Sequence, residues 1–353
     1  MPIPGTNREH KSVMPVLKPN KLAIILATMA AAFAISSDAT AQRKITATFV
    51  APNLSQTIPW IAKEAGIFAK NGIDADVILL TGSPRAVQTL LAGDIEYTIA
   101  GGQSAIRARM HGADPVLLAT SANFSSQRVL LRPESTLLRL QDLKGKTVGV
   151  TQYGSGGDTF LRAALRSIGL RPDADVSILQ MGGTPQVASS LIAGKVDAGV
   201  SGESSVLLIH QGKMKQLPGA SAKEMKILSS GAPLITTRRY ISRDRRSIMQ
   251  FMRAYVEAVH YFKTNKEGSV RALQKLLRGA TAPEIGVLYD DQRDVVDPLP
   301  VPSDEALQAD LDRENDPQAR NMKLTDLVDL SFLREIEKGG FLAELYGKGA
   351  AAR

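Results

Sequence analysis

The spacing of apolar residues along positions 45–121 switches between that of strands and that of helices. Residues 45–50 alternate and are β-prone, which predicts a strand. Residues 58–70 place Trp60, Ile61, Ala65 and Phe68 on one face of a single predicted helix. Further strands are predicted at 75–80, 97–100 and 116–121, and further helices at 84–91, with Ser83 as N-cap, and from the turn at 101–104 to 111. Strands and helices that alternate in this way indicate an α/β fold.

The same alternation restarts near residue 140. Strands are predicted at 148–151, 176–180 and 198–201, with a helix at 159–168 and another after the turn at 182–185. Residues 226–229 are expected to form the last strand. Beyond them the chain is predicted to be mostly helical, at 247–263, 270–277 and 324–346, with an extended loop at 287–304.

Two segments of the chain are similar in sequence. Residues 83–106 and 184–207 align at an offset of 101 positions, which superimposes Pro84 on Pro185 and Gly101 on Gly202. This period is too long for a solenoid repeat and matches the size of a small domain. The sequence therefore predicts two similar α/β lobes with a cleft between them.

The first 41 residues are typical of a secretory signal peptide. Lys18 and Lys21 precede an apolar run at 22–35, and Ala39 and Ala41 give the small-x-small pattern that precedes cleavage. An uncleaved anchor is the alternative, although the run is shorter than the roughly 20 residues that span a bilayer, and Met14 is an alternative start. The chain has no cysteine, so disulfides are excluded, and a periplasmic location is expected.

Composition and motifs exclude several classes of function. The net charge of +8 is scattered, and its densest cluster, at 238–246, lacks the interleaved aromatics of a nucleic-acid surface. The histidines stand alone, so no metal site is expected. The turn at 153–158 lacks the GK[ST] of a phosphate-binding loop, and no nucleophile elbow occurs, so we expect no cofactor and no enzyme activity.

Several segments together resemble the substrate-binding proteins of ABC importers in the nitrate/sulfonate/taurine and thiamine-precursor group. They are WIAKEAGIFAKNGIDADVILL (60–80), LLAGDIEYTIAG (90–101), DLKGKTVGV (142–150), FLRAALRSIGL (160–170), LIAGKVDAGV (191–200), FMRAYVEAVHYFKTNKE (251–267) and GGFLAELYGK (339–348). The resemblance covers nearly the whole chain after residue 41.

This resemblance implies a type II periplasmic-binding-protein fold, with two α/β lobes joined by two crossover strands. Lobe 1 would comprise residues 42–130 and 232–353, and lobe 2 residues 131–231. The implied function is capture of a small solute and its delivery to an ABC permease and ATPase at the inner membrane. A monomer is expected. An enzyme or a ligand sensor on the same fold is the alternative, and the ligand stays open.

Candidate ligand-binding residues lie in the turns that follow the predicted strands. Ligands of open α/β sheets bind at that edge, and free N–H groups at helix starts favour an oxyanion such as a sulfonate, nitrate or carboxylate. The candidates are Asn53, Ser55, Gln56, Ser83, Arg85, Gly102, Gln103, Ser104, Ser121, Asn123, Gly154, Ser155, Gly156, Asp158, Gly182, Thr184 and Glu203.

Two of these candidates carry alternatives. Arg85, in the first turn of its predicted helix, would face either the ligand or solvent. Glu203 replaces the Gly102 of the other repeat copy, and would meet either a cationic group of the ligand or a lysine across the cleft. For any single turn, ordinary helix capping is the competing interpretation.

Overall fold

Two five-stranded sheets organise the protein, in a computed structural model that describes Met1, residues 43–314 and residues 316–347. The first sheet has the order β2-β1-β3-β10-β4. Its strands are β1 (Arg43–Phe49), β2 (Ile73–Leu79), β3 (Tyr97–Ile99), β4 (Pro115–Ala119) and β10 (Leu234–Thr237). β1 is parallel to β2 and β3, with Phe49 opposite Leu79 and Ile99, whereas β10 runs antiparallel to β3 and β4.

The second sheet repeats this topology with the order β7-β6-β8-β5-β9. Its strands are β5 (Arg128–Leu131), β6 (Thr147–Val150), β7 (Ser177–Gln180), β8 (Ala198–Ser201) and β9 (Lys215–Ser221). β6 is parallel to β7 and β8, and β5 is antiparallel to β8 and β9. The chain enters this sheet between β4 and β5 and leaves it between β9 and β10, so it crosses twice between the sheets.

The repeat is visible in individual hydrogen bonds. The Thr46 N–H donates to the Glu96 carboxylate at 2.7 Å, and the Thr147 N–H donates to the Asp197 carboxylate at 2.8 Å. Both residues of the second pair lie 101 positions after those of the first. The duplicated sequence therefore builds the same hydrogen bond in each sheet, from β1 or β6 to the acidic residue that precedes β3 or β8.

Helices connect and cover the strands. Those before β10 are α1 (Ile58–Glu64), α2 (Ile67–Lys70), α3 (Ser83–Ala92), α4 (Gly102–Met110), α5 (Gly156–Ser167), α6 (Thr184–Ile192) and α7 (Ser205–His210). Those after β10 are α8 (Arg238–Arg243), α9 (Arg245–Thr264), α10 (Lys266–Leu276), α11 (Ala282–Arg293), α12 (Asp304–Asp312), α13 (Leu324–Leu327), α14 (Ser331–Lys338) and α15 (Phe341–Tyr346). Short 3₁₀ helices lie at Leu54–Gln56, Leu140–Leu143 and Pro317–Asn321.

Each sheet has its own hydrophobic core. The first is built on β1, β3 and the long helix α9, where the Tyr97 ring stacks on Phe251 with centroids 3.8 Å apart. The second is built on β6, β8 and α5, with Phe160 and Leu161 fully buried. Separate cores leave the polar turns at the strand ends free to line the space between the sheets.

Four predicted elements differ from the structure, and one of them is the helix with a short helical tail predicted at 324–346, which is divided into α13, α14 and α15. The helix predicted at 58–70 is broken into α1 and α2 at Gly66, whose φ of 73° is left-handed, and Trp60 and Ala65 are only half-buried. The strand predicted at 226–229 is wrong, because those residues form turns and one isolated bridge, and the strand is β9. The loop predicted at 287–304 is wrong over its first part, which belongs to α11.

The predicted signal peptide at 1–41 lies outside the described residues, apart from Met1. In the part of the chain that the structure describes, no helix is long and apolar enough to cross a membrane.

Candidate ligand-binding site

A cavity of about 100 Å³ lies where the carboxyl ends of parallel strands from both sheets converge. Turns after β1, β3, β6 and β8 contribute to its wall, and so do the two segments that cross between the sheets. This is the edge at which open α/β sheets bind ligands. The volume is sufficient for several water molecules or one small solute.

Most of the residues predicted from the sequence meet at this cavity. Those that line it are Asn53, Ser55, Gln56, Ser83, Gly102, Gln103, Ser121, Gly154, Ser155, Gly156, Thr184 and Glu203. They come from segments as distant in sequence as the 3₁₀ helix at Leu54–Gln56 and the start of α7, and the fold brings them together.

The other predicted residues do not line it. Arg85 is exposed on α3, which is the solvent-facing alternative, and Gly182 is also exposed. Asn123 binds the segment that precedes α12. Its side-chain amide donates to the Val301 carbonyl at 3.0 Å and accepts from the Ser303 N–H at 2.7 Å.

Ser104 and Asp158 act on the turn at Gly154 instead of on the cavity. The Ser104 hydroxyl donates to the Gly154 carbonyl at 3.4 Å, and the Asp158 carboxylate accepts from the Gly154 N–H at 2.7 Å. Asp158 also pairs with Arg162 at 2.8 Å. These residues therefore fix the backbone of Gly154, which lines the cavity, without lining it themselves.

The turn residues are held by hydrogen bonds that differ from simple capping. The sequence predicts Ser83 as the N-cap of α3, and this is wrong, because Gly82 occupies that position. The Ser83 hydroxyl instead accepts from the Gly101 N–H at 2.9 Å, which ties the start of α3 to the turn before α4. Ser155 does cap α5, and its hydroxyl accepts from Thr151 at 2.9 Å. The N-terminal, positive ends of α4 and α5 therefore face the same cavity.

Glu203 is buried and bridges the two sides of the cavity. It accepts from the Ser55 N–H at 3.0 Å and from the Ser55 hydroxyl in a short hydrogen bond. The residue that bonds to Glu203 from the other side of the cavity is thus a serine, and not a lysine, which was one of the two alternatives. Burial raises the pKa of the Glu203 carboxyl, and the bonds from Ser55 and the charge of Arg128 oppose that shift only in part.

A second buried carboxylate, Asp310, was not predicted from the sequence. It accepts from the Ser230 N–H at 2.8 Å and from the Ser230 hydroxyl at 2.6 Å, and it pairs with Arg313 at 3.0 Å. Burial raises the pKa of the Asp310 carboxyl, against the opposing effect of these partners. Each of these two carboxylates thus accepts hydrogen bonds from the N–H and the hydroxyl of a single serine, Ser55 for Glu203 and Ser230 for Asp310.

Four other residues that line the cavity were not predicted from the sequence. Ser125, Ser126 and Gln127 lie on the first segment that crosses between the sheets, and Ser229 lies on the second. The turn predicted after the strand at 116–121 extended only to Asn123, and β9 was not predicted, so the rule that located the other turns did not reach them. The polar run from Ser125 to Gln127 before a β-prone segment is the signal that was available.

Three polar side-chain atoms at the cavity have no hydrogen-bond partner among the described residues. They are Nε2 of Gln103, Oγ1 of Thr159 and Oγ of Ser201, all of them buried. A buried donor or hydroxyl without a partner costs about 1–3 kcal/mol. A polar solute in the cavity would satisfy them.

A larger opening of about 610 Å³ adjoins the cavity on the side of α5 and α12. It is lined by charged side chains of both signs, and Gly154, Thr159 and Arg313 border both spaces. We call this opening the outer funnel. No group of acidic or histidine side chains within the described ranges is arranged to hold a metal ion.

Comparisons with known proteins agree with this geometry. A family model described as NMT1/THI5 like matches residues 53–268. A protein of Brucella abortus (strain 2308) that is named as a binding protein is 32% identical over 151 residues, 42% of this chain and 45% of that protein. The chain therefore spans less than half the length of that curated relative. The formylaminopyrimidine-binding protein of Halalkalibacterium halodurans is 22% identical over 228 residues, 63% of this chain and 67% of the relative.

Among solved structures, the periplasmic nitrate-binding protein NrtA from Synechocystis PCC 6803 superimposes with a TM-score of 0.68 at 15% identity. The match covers 88% of this chain and 92% of that one. The expected fold is therefore confirmed as that of the periplasmic binding proteins.

Proposed function

The chain belongs to the NMT1/THI5-like family, and we propose that it is the solute-binding component of an ABC importer. It captures a small anionic solute in the cavity between the two sheets and delivers it to a membrane permease. The predicted signal peptide supports a periplasmic location. The solute bridges the two proposed lobes, residues 42–130 with 232–353 and residues 131–231, and stabilises the form in which they are closed.

The unpartnered atoms of Gln103, Thr159 and Ser201 carry this proposal. Gln103 lies in the first turn of α4, beside the first sheet, whereas Ser201 ends β8 and Thr159 lies in α5, both beside the second. A ligand that bonds to all three contacts both sides. Since a ligand shifts an equilibrium only by its difference in affinity for the two states, bonds to both sides favour closure.

An anion is favoured by the donors that surround the cavity. The starts of α4 and α5 present backbone N–H groups, and Gln103 adds an amide donor. The two carboxylates do not oppose this, because Asp310 is paired with Arg313, and Glu203 is bonded to Ser55 and lies within the field of Arg128.

Calorimetric titration with nitrate, methanesulfonate, acetate, an aromatic carboxylate and formylaminopyrimidine tests the proposal. We expect micromolar or tighter binding of one class of anion, about −8 kcal/mol, and a smaller radius of gyration by solution scattering when it is bound. Mass spectrometry of solutes that co-purify widens the search. If no solute binds or co-purifies, the proposal is wrong.

A pyrimidine is the second candidate, since one relative is a formylaminopyrimidine-binding protein. The two buried carboxyls would accept N–H groups of an amino-heterocycle. Binding of formylaminopyrimidine and of no anion would select this candidate, and the role in import would remain.

A further inference from the structure

Arg313 lies at the boundary between the cavity and the outer funnel. It is the C-cap residue of α12, where a cation is favourable, and it borders both spaces. Among the described residues that line the cavity it is the one lysine or arginine. Its side chain is 20% exposed, so it is not fully enclosed by the protein.

The guanidinium of Arg313 is fixed in place from two directions. Nη1 bonds to Oδ1 of Asp310 at 3.0 Å, and Nη2 donates to the carbonyl of Leu228 in a short hydrogen bond. A guanidinium has five N–H donors in one plane. Within the described chain, the bonds to Asp310 and Leu228 engage two of these donors, so further N–H groups of a fixed guanidinium remain for an oxyanion.

Asp310 orients this arginine through their ion pair, and other groups also stabilise the negative charge of Asp310. Its other oxygen accepts both Ser230 donors. It also lies over the start of α4, since a Cβ added to Gly102 would stand 3.5 Å from Oδ2 of Asp310. The negative charge of Asp310 is thus shared among Ser230, the positive end of α4 and Arg313.

We propose that Arg313, positioned by Asp310, is the specificity-determining residue that selects an anionic solute as it passes from the outer funnel into the cavity. This inference rests on the proposed function and adds the residue that sets its charge preference. Both residues lie outside the segment that the family model matches, 53–268, so the family match does not assign them.

The test compares each anion with its neutral analogue. Wild-type protein, Arg313→Gln, Arg313→Lys and the control Arg320→Gln are titrated with methanesulfonate and methanesulfonamide, and with acetate and acetamide. Arg320 is exposed and lies on the same segment, away from both spaces. Thermal unfolding of each variant is measured in parallel.

We expect Arg313→Gln to weaken binding of the anions at least tenfold and binding of the neutral analogues less than threefold. Arg313→Lys, which keeps the charge but loses the planar fork, should fall between it and the wild type. Arg320→Gln should match the wild type. This charge-selective loss would not arise from a purely structural role.

Four results overturn the inference. Equal losses for anions and neutral analogues in both Arg313 variants would assign Arg313 a structural role, and no loss would assign it none. A wild-type protein that binds only neutral solutes would also refute it, while solute capture would stand. Failure to bind any solute would refute the proposed function as well.

Discussion

Gly102 and Glu203 occupy the same position in the two copies of the repeat, and a carboxylate lies beside each position. In the second copy Glu203 supplies its own carboxylate, bonded to Ser55. In the first copy Asp310 supplies it, bonded to Ser230. The absence of a side chain at Gly102 is what leaves room for Ser230 and Asp310.

We expect Gly102→Ala to destabilise the protein and weaken solute binding. A Cβ there would stand 2.1 Å from Oγ of Ser230, which cannot turn away without losing its bond to Asp310. Such overpacking costs about 1–3 kcal/mol, measured as the free energy of unfolding in urea. Gly279→Ala is the control, because no atom lies within 4 Å of its added Cβ. Equal stability of the two variants would contradict this packing.

The buried Glu203 should make stability depend on pH. Burial raises its folded-state pKa above the unfolded value of 4.5. Its contribution to stability is therefore complete below pH 4.5 and is lost as the pH rises through the folded pKa. In Glu203→Gln this titration is absent.

The melting temperature of the wild type should consequently fall relative to that of Glu203→Gln as the pH is raised above 4.5. Glu337→Gln, at an exposed position, serves as the control and should follow the wild type. If the melting temperatures of wild type and Glu203→Gln changed in parallel from pH 4.5 to 8, Glu203 would not be desolvated as described.

At the scale of elements, the sequence predicted what depends on local periodicity and missed what depends on position in a sheet. The strand β9 contains Pro218 and Gly219, which argue against a strand. It forms because it lies at the edge of its sheet, where a missing N–H is tolerated. Edge position is set by tertiary structure, so the strand was instead predicted at the more apolar 226–229.

The candidate site divides in the same way. Turns after parallel strands were predictable, because the repeat located those strands twice. Asp310 and Arg313 were not, because they reach the cavity from a helix more than 100 residues after Glu203. No local pattern marks an acidic residue on an amphipathic helix as one that will be buried beside Ser230.

The helix α11 could have been predicted, and its start gives a test. Thr281 and Glu284 form a capping box, with the Thr281 N–H 2.7 Å and its hydroxyl 2.8 Å from Oε2 of Glu284. Hydrogen bonds from the Thr281 N–H, the Gln211 side-chain amide and the Thr281 hydroxyl lower the pKa of Glu284 to about 2. Its stabilising effect is present above the unfolded pKa of 4.5 and is lost as the pH falls towards 2.

Glu284→Gln should therefore lower the melting temperature at pH 7, and the difference from the wild type should shrink as the pH falls below 4.5. Relative to its variant, the wild type thus gains stability with rising pH at Glu284, whereas it loses stability with rising pH at Glu203. The two variants, measured in one pH series, check the sign of both effects. A difference for Glu284→Gln that stays constant down to pH 3 would mean that the carboxylate charge contributes nothing at this cap.

At the scale of the whole molecule, hydrogen bonds across the cavity and the outer funnel define the state that the structure represents. Ser55 bonds to Glu203, the Ser204 N–H donates to Oδ1 of Asn53 at 3.1 Å, and Arg107 donates to the Gly154 carbonyl at 3.3 Å. Each bond joins a residue beside the first sheet to one beside the second. They describe a closed arrangement, and an open form would break them together.

Arg107 is the member of this set that can be removed without touching the cavity, because it lines only the outer funnel. It also pairs with Glu314 at 3.0 Å, on the segment that carries Arg313. Since the pair is partly exposed, its loss should cost less than about 1 kcal/mol. We expect Arg107→Ala to raise the solute dissociation rate by about two- to fivefold, with a smaller change in the association rate.

Stopped-flow kinetics with whichever solute the titrations identify measures both rates, and solution scattering of the solute-free protein should show a larger radius of gyration for Arg107→Ala. Arg109→Ala is the matched control, because Arg109 lies on the same helix and bonds only to the nearby Ala113 carbonyl among the described residues. If closure depends on bonds across the cavity, the two variants must differ in dissociation rate. Identical rates would mean that the solute alone holds the two sides together.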